Sequence, residues 1–117
     1  MAALSPRQPT VPPQPNEFDR KRIERALAAR ERYRYVSPSV RIIEAGYIIQ
    51  SPCCSRKVDA SGGRIDVALL QQIAGENVWR LYRKQHDQDR WHLHGTYSRL
   101  PELLNELNTD PLRLFWQ

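Results

Sequence analysis

Two adjacent cysteines and three histidines are the side chains of this chain best suited to chemistry. Imidazoles and thiolates are the usual zinc ligands, and His92 and His94 stand two positions apart, which places both on one face of a predicted strand. Cys53 and Cys54, however, are neighbours, and two adjacent thiolates rarely both bind one tetrahedral ion. The chain also has no C-x₂-C spacing, so we predict no metal site and no cofactor.

The loop that holds the two cysteines is also a candidate for thiol chemistry. Cys54 precedes Ser55 and Arg56, and nearby cations stabilise the thiolate that acts as a nucleophile. The phosphatase-type C-x₅-R pattern is absent, because Asp59 and Ala60 occupy the positions where its arginine would stand. Serine-hydrolase, phosphate-loop and dinucleotide-binding motifs are absent as well. We therefore predict that the protein is not an enzyme and keep a thiol- or metal-dependent activity at this loop as an alternative.

The last predicted hairpin of the chain has a basic face. Because side chains alternate along a strand, one face of it should line the core with Trp79, Leu81, Trp91, Leu93 and Tyr97. The other face is then predicted to carry Arg80, Tyr82, Lys84, Arg90, His92 and His94. Cations beside an aromatic ring suit a nucleic acid, although charged residues are also what the solvated face of a sheet normally carries.

The positive charge of the chain is unevenly distributed. The formal net charge is +5, from 18 Lys and Arg against 13 Asp and Glu. Residues 1–34 hold eight of those bases and four of the acids, whereas residues 35–117 hold ten bases and nine acids. The excess therefore lies on the N-terminal segment, where Arg22, Arg25 and Arg34 are candidate phosphate-binding residues. A charged helix face of this kind is also often only solvated.

The hydropathy pattern predicts an α+β fold. A helix should begin at Asn16 as its N-cap and fade near Tyr33, with one apolar stripe that includes Phe18, Ile23 and Leu27. About five strands joined by short turns follow, which predicts an antiparallel meander. A short helix at about residues 101–108 then places leucines on one side before an apolar ending. We expect both helices to pack on one face of the sheet, and the ending on the sheet or on a second subunit.

The N-terminal residues predict a tail rather than a leader. Residues 1–15 hold five prolines and no apolar run, which is typical of a disordered segment and unlike a signal peptide. Residues 16–117 should then form a single domain. No stretch has the roughly 18 apolar residues of a membrane helix, so we expect a cytoplasmic protein without a membrane partner. A stabilising disulfide between the two adjacent cysteines is not expected, because neighbours cannot adopt the usual geometry.

Several short segments, in this order, resemble a known family. They are Arg22–Leu27, Arg32–Val36, Ser51–Arg56, Gly62–Asp66, Trp79–Tyr82, Leu103–Leu104 and Asp110–Trp116. The chain resembles a family of small uncharacterised bacterial proteins described only as a domain of unknown function. The resemblance implies a bacterial, cytoplasmic origin and supplies no mechanism.

Besides the thiol- or metal-dependent activity at the Cys53–Cys54 loop, two classes of function remain open from the sequence. The first is a small non-enzymatic interaction or regulatory module that binds a protein partner or forms a homodimer. The second is a nucleic-acid-binding protein that uses the Arg-rich helix and the basic hairpin face. We expect the first, because the chain lacks a recognisable catalytic constellation and ends in an apolar segment.

Overall fold

The computed structural model describes residues 14–30, 37–52, 63–85 and 87–116. The elements in chain order are α1 (Glu17–Ala26), a 3₁₀ turn (Leu27–Ala29), β1 (Ser39–Ile43), β2 (Gly46–Pro52), β3 (Arg64–Ile73), β4 (Val78–Gln85), β5 (Arg90–Tyr97) and α2 (Leu100–Thr109). The strands form one sheet in the order β1-β2-β3-β4-β5, each antiparallel to the next. The predicted α+β class and five-stranded meander are confirmed. Most of the predicted tail, residues 1–13, lies outside the described residues.

Helix α1 begins at the predicted residue and ends before the predicted one. The side chain of Asn16 accepts a hydrogen bond from the backbone N–H of Asp19 at 2.8 Å, as an N-cap does. The helical segment closes at Ala29 rather than near Tyr33, because Arg30 turns the backbone to an extended conformation. The carbonyl oxygen of Leu27 accepts both the backbone N–H of Arg30 at 3.1 Å and the Arg30 guanidinium at 2.9 Å, which closes the end of the helical segment.

The apolar stripe of α1 is narrower than predicted. Ile23 and Leu27 are buried, as expected, whereas the Phe18 side chain is 68% exposed and does not belong to the core. Tyr47 of β2 fixes the start of the helix, since its hydroxyl accepts from the backbone N–H of Asn16 at 2.9 Å and donates to Gln14. Helix α1 is therefore joined to the sheet through its N-terminal end as well as its apolar stripe.

Both described helices pack on the same face of the sheet. The core between the layers is one cluster of buried side chains: Ile23, Leu27, Val40, Tyr47, Ile49, Val67, Ala68, Leu70, Trp79, Leu81, Leu100, Leu103, Leu104, Leu107, Phe115 and Trp116. Helix α2 has Pro101 in its first turn and buries the predicted leucines. Asn108 donates to the carbonyl oxygen of Ala26 at 2.9 Å and so joins the end of α2 to α1.

The C-terminal segment folds back onto this core around a buried carboxylate. Asp110 ends α2 in the left-handed conformation (φ 40°), and its carboxylate accepts backbone N–H groups of Leu114 at 2.8 Å, Phe115 at 3.2 Å and Trp116 at 2.9 Å. The Trp116 indole donates to the carbonyl oxygen of Leu107 at 2.8 Å. Phe115 and Trp116 are each 2% exposed and belong to the core cluster between the helices and the sheet.

None of the helices in the described part of the chain is both long enough and apolar enough to cross a membrane.

Candidate nucleic-acid interface

A β-bulge in the last hairpin decides which side chains reach which face of the sheet. Leu81 of β4 is opposite Gly95 of β5, yet the next residue, Tyr82, is opposite Leu93. His94 is thus an extra residue on β5. The residues of β5 that precede it therefore lie on the opposite face from the one that simple alternation predicts. Trp79 and Tyr97, which pair beyond the bulge, keep the predicted core face.

Two predictions about this hairpin are wrong for that reason. Trp91 and Leu93, predicted to line the core, lie on the opposite face, where Leu93 is 55% exposed. Arg90, His92 and His94, predicted on the same face as Tyr82, lie on the face covered by the helices. A glycine inside a strand pattern often marks a bulge, so Gly95 was the signal in the sequence that could have predicted the reversal.

The face of the sheet opposite the two described helices is called the helix-free face below. A second bulge, at Val67 between β2 and β3, brings Asp66 onto it next to Gln50, whose amide donates to that carboxylate at 2.8 Å. The register and the alternation place on this face Arg41, Ile48, Gln50, Arg64, Asp66, Leu69, Arg80, Tyr82, Lys84, Trp91 and Leu93. One row crosses all five strands: Arg41, Ile48, Leu69, Tyr82 and Leu93.

The charges on the helix-free face are mostly positive. Its strand residues include four cations, Arg41, Arg64, Arg80 and Lys84, and one acid, Asp66. Arg41 is exposed and forms no ion pair with any described residue. Arg64 is also exposed and donates to the Ser39 hydroxyl at 3.2 Å. Sequence reasoning missed both arginines as site residues, because the register of β1 and β3 was needed to place them here.

The other two cations on this face have acidic neighbours. Arg80 lies 3.7 Å from the carboxylate of Glu76, in the turn before β4. The ammonium of Lys84 lies 3.0 Å from Asp89 and 3.9 Å from Asp66. It also stands 4.9 Å from the centre of the Trp91 ring, in a cation–π contact. Arg41 and Arg64 are therefore the most available to bind an anion from solution. Arg80 is less available, and Lys84, with two acidic neighbours, is the least available.

His94 takes part in a contact between β5 and α2. Its Nε2 lies 3.0 Å from the Glu106 carboxylate, and the edge of its ring packs against Phe115 at 5.0 Å between ring centres. The ring of Tyr97 lies over Gly95 nearby. Burial, and secondarily the Glu106 charge, raise the pKa of the Tyr97 hydroxyl above its ordinary value. This cluster joins the C-terminal helix to the sheet.

The predicted cations of α1 lie on the other side of the molecule from the helix-free face. Arg22 is within 2.9 Å of the Asp19 carboxylate, and Arg25 is exposed in the last turn of the helix. Arg20, between two acids, is paired with both Glu17 at 2.7 Å and Glu24 at 3.3 Å. Much of the positive charge of α1 is therefore neutralised within the helix. Arg90 begins β5, where the bulge places it on the helix-covered face, exposed at the end of the strand.

The remaining predicted residues cannot be placed on either face. Arg34, Cys54, Ser55 and Arg56 lie outside the described residues. Within the described ranges, no three His, Cys, Asp or Glu side chains are grouped so as to hold a metal ion.

Comparison with known proteins yields one match. No curated protein and no solved structure matches the chain. One family model matches residues 11–117, which includes every residue that the structure describes and confirms the resemblance found in the sequence. The chain therefore belongs to the family described as a domain of unknown function (DUF3024).

Proposed function

We propose that the protein is a non-enzymatic binding module of the bacterial cytoplasm, and that the ligand of its helix-free face is a nucleic acid. One observation carries the proposal. The strands bring four cations and one acid onto this face; Glu76 and Asp89 in the adjoining turns pair with Arg80 and Lys84, whereas Arg41 and Arg64 are exposed and have no acidic partner among the described residues. A positively charged sheet surface suits a regularly charged polyanion, because each phosphate that is neutralised releases a counterion.

The contacts of His94 favour binding over catalysis. Its Nε2 is engaged by Glu106, and its ring is held against Phe115 in the contact between β5 and α2. No hydroxyl or thiol of the described residues forms a hydrogen bond with that imidazole. The helix-free face, in contrast, carries mainly cations, rings and aliphatic side chains, and the amide of Gln50 donates to its one strand carboxylate, Asp66, at 2.8 Å.

The proposal is tested by the salt dependence of binding. Fluorescence anisotropy would follow labelled single- and double-stranded DNA and RNA from about 50 mM to 200 mM salt. We expect binding at the low salt concentration and a steep loss of affinity as salt rises. The double variant Arg41→Gln/Arg80→Gln should weaken binding and reduce the salt slope, because it removes two phosphate contacts.

A charge-matched variant makes this test specific. Lys21→Gln/Arg25→Gln removes two exposed cations from α1, on the opposite side of the molecule, and lowers the net charge by the same amount. It should leave the affinity within about twofold of the unaltered protein. Absence of binding at low salt contradicts the proposal. An equal loss in both variants also contradicts it, because net charge rather than the helix-free face would then determine binding.

A protein partner is the second candidate, and the exposed Leu93 is the observation that favours it. Leu93 is 55% exposed, whereas Ile48 and Leu69 in the same row are buried. A homodimer through Leu93 would be visible in native mass spectrometry and would dissociate in a Leu93→Gln variant. A monomer at all concentrations that binds an oligonucleotide would contradict this second candidate.

A further inference from the structure

The bulge at His94 places two aromatic side chains, Tyr82 and Trp91, side by side on the helix-free face. Tyr82 is opposite Leu93, and Trp91 is opposite Lys84, so the two rings are diagonal neighbours on adjacent strands. Diagonal neighbours lie about 7–8 Å apart, and both residues are partly exposed. Without the extra residue, Trp91 would lie on the helix-covered face, and Tyr82 would have the imidazoles of His92 and His94 beside it instead of the indole.

Cations flank these rings along the same strand. Side chains two positions apart share a face, so Arg80 precedes Tyr82 and Lys84 follows it on β4. Lys84 contacts the Trp91 ring, and Arg41 stands at the far end of the row that contains Tyr82. Rings and cations therefore alternate over the surface, as they do where proteins bind single strands by stacking bases and pairing phosphates.

A duplex does not match this arrangement well. Its bases are stacked inside the helix, so a ring on the sheet can reach base edges in a groove, or sugars and phosphates, but cannot stack on the face of a base. A single strand can turn its bases outward and stack them on aromatic side chains. Ile48 and Leu69, which lie between Arg41 and Tyr82 in the row, are buried at 8% and 7% exposure, so the accessible surface is formed by the side chains around them.

From these contacts we infer that the ligand of the helix-free face is single-stranded nucleic acid, with bases stacked on Tyr82 and Trp91 and phosphates held by Arg41 and Arg80. The inference rests on the proposed function. It adds that the nucleic acid is single-stranded and names the residues that bind it. Lys84 contributes less to the phosphates, because Asp89 and Asp66 already lie beside its ammonium. The same ammonium also lies 4.9 Å from the centre of the Trp91 ring, which it helps to hold in position.

The test uses the full chain and compares single-stranded with duplex ligands, and variants that remove a ring with one that keeps it. Anisotropy would be measured at about 50 mM salt with labelled oligo(dT) and oligo(U) of about 12 nucleotides and with a duplex of the same length. We expect tighter binding of the single strands. Tyr82→Leu and Trp91→Leu should each weaken that binding about tenfold, because each removes one stacked base. Tyr82→Phe keeps the ring and is the matched control, with an affinity within about twofold of the unaltered protein.

Two further readouts separate stacking from a loss of fold. Stacking of a base on Trp91 should quench tryptophan fluorescence on titration, and the Trp91→Leu variant should lose most of that quenching, since Trp79 and Trp116 are buried. Arg41→Gln should weaken single-strand binding more than Lys84→Gln does. Arg41→Gln changes an exposed side chain without a described ion-pair partner, so it tests the inference even if the leucine variants do not fold.

The outcomes distinguish this inference from the proposed function. If the duplex binds as tightly and the leucine variants are unaffected, nucleic-acid binding stands and the single-strand inference is wrong. If neither form binds at low salt, both are wrong. A homodimer that is disrupted by Leu93→Gln, without any binding of oligonucleotides, would identify the face as a protein–protein surface and would overturn both.

Discussion

At the scale of single residues, Asp110 determines how the chain ends. It is 1% exposed, it adopts a left-handed conformation, and it accepts three backbone N–H groups of the segment that carries Phe115 and Trp116. A carboxylate with this many donors is well compensated for its burial. The C-terminal segment, which completes the core, therefore depends on one acidic side chain.

Asp110→Asn should lower the free energy of unfolding by about 2 kcal/mol, because it removes the charge from these hydrogen bonds. Asparagine tolerates the left-handed conformation, so the substitution tests the carboxylate rather than the backbone. Urea denaturation measures the loss. Asp87→Asn, an exposed position in a turn, is the control and should change stability by less than about 0.5 kcal/mol. Equal stabilities of the two variants would show that the carboxylate does not hold the segment.

Tyr97 makes the free energy of unfolding depend on pH in the alkaline range. Burial and the Glu106 charge raise the pKa of its hydroxyl above the ordinary value of 10.0. As pH rises past 10, the unfolded chain therefore loses this proton while the folded chain keeps it. The free energy of unfolding should fall with pH in this window, because the unfolded state binds fewer protons.

Tyr97→Phe should reduce this dependence, because phenylalanine has no proton to lose. Denaturation curves from pH 8 to about pH 11 for the variant and the unaltered protein would measure the difference. Some dependence should remain, since burial also raises the pKa of Tyr47. Identical pH profiles for the two proteins would contradict the assignment of this effect to Tyr97.

At the scale of elements, the close approach of β2 and β3 depends on Gly46. This residue has φ +153°, and a Cβ added to it would lie 2.2 Å from the carbonyl oxygen of Leu70. A backbone atom cannot move aside as the end of a side chain can. The first hairpin is therefore positioned against the next strand by the absence of a side chain.

Gly46→Ala should cost about 2–3 kcal/mol of stability, because the methyl group forces the two strands apart at a strained backbone angle. Thermal denaturation followed by circular dichroism measures this cost. Gly75→Ala is the matched control, since a Cβ there would meet no heavy atom within 4 Å. A similar melting temperature for both alanine variants would show that the contact with Leu70 is not limiting.

The elements themselves were largely predictable from local sequence. Asn16 caps α1, Pro101 lies in the first turn of α2, and the five strands fall on the predicted β-rich runs. These features follow from local backbone preferences. The end of the helical segment was not predictable in the same way. Arg30 caps the 3₁₀ turn that closes it, and its guanidinium lies over the Trp116 ring. Only tertiary packing brings these two residues together.

At the scale of the whole molecule, the fold determines which surface of the protein is positively charged. The sequence suggested that α1 would hold the basic surface, because residues 1–34 carry most of the excess. In the structure, the cations of α1 are partly paired with their own acids, whereas strand arginines that are distant in sequence meet on the helix-free face. The paired charge variants proposed above compare these two surfaces directly.

The sequence by itself determined the class of the fold, the order of its elements and the leucine face of α2, because hydropathy periods and capping residues act locally. Only the tertiary structure decided which face each side chain of β5 occupies. Strand alternation has a period of two, so the single extra residue at His94 moves Trp91 and Leu93 from the predicted core to the helix-free face. The proposed interface thus depends on a change of register, which is a property of the pairing between strands and not of either strand alone.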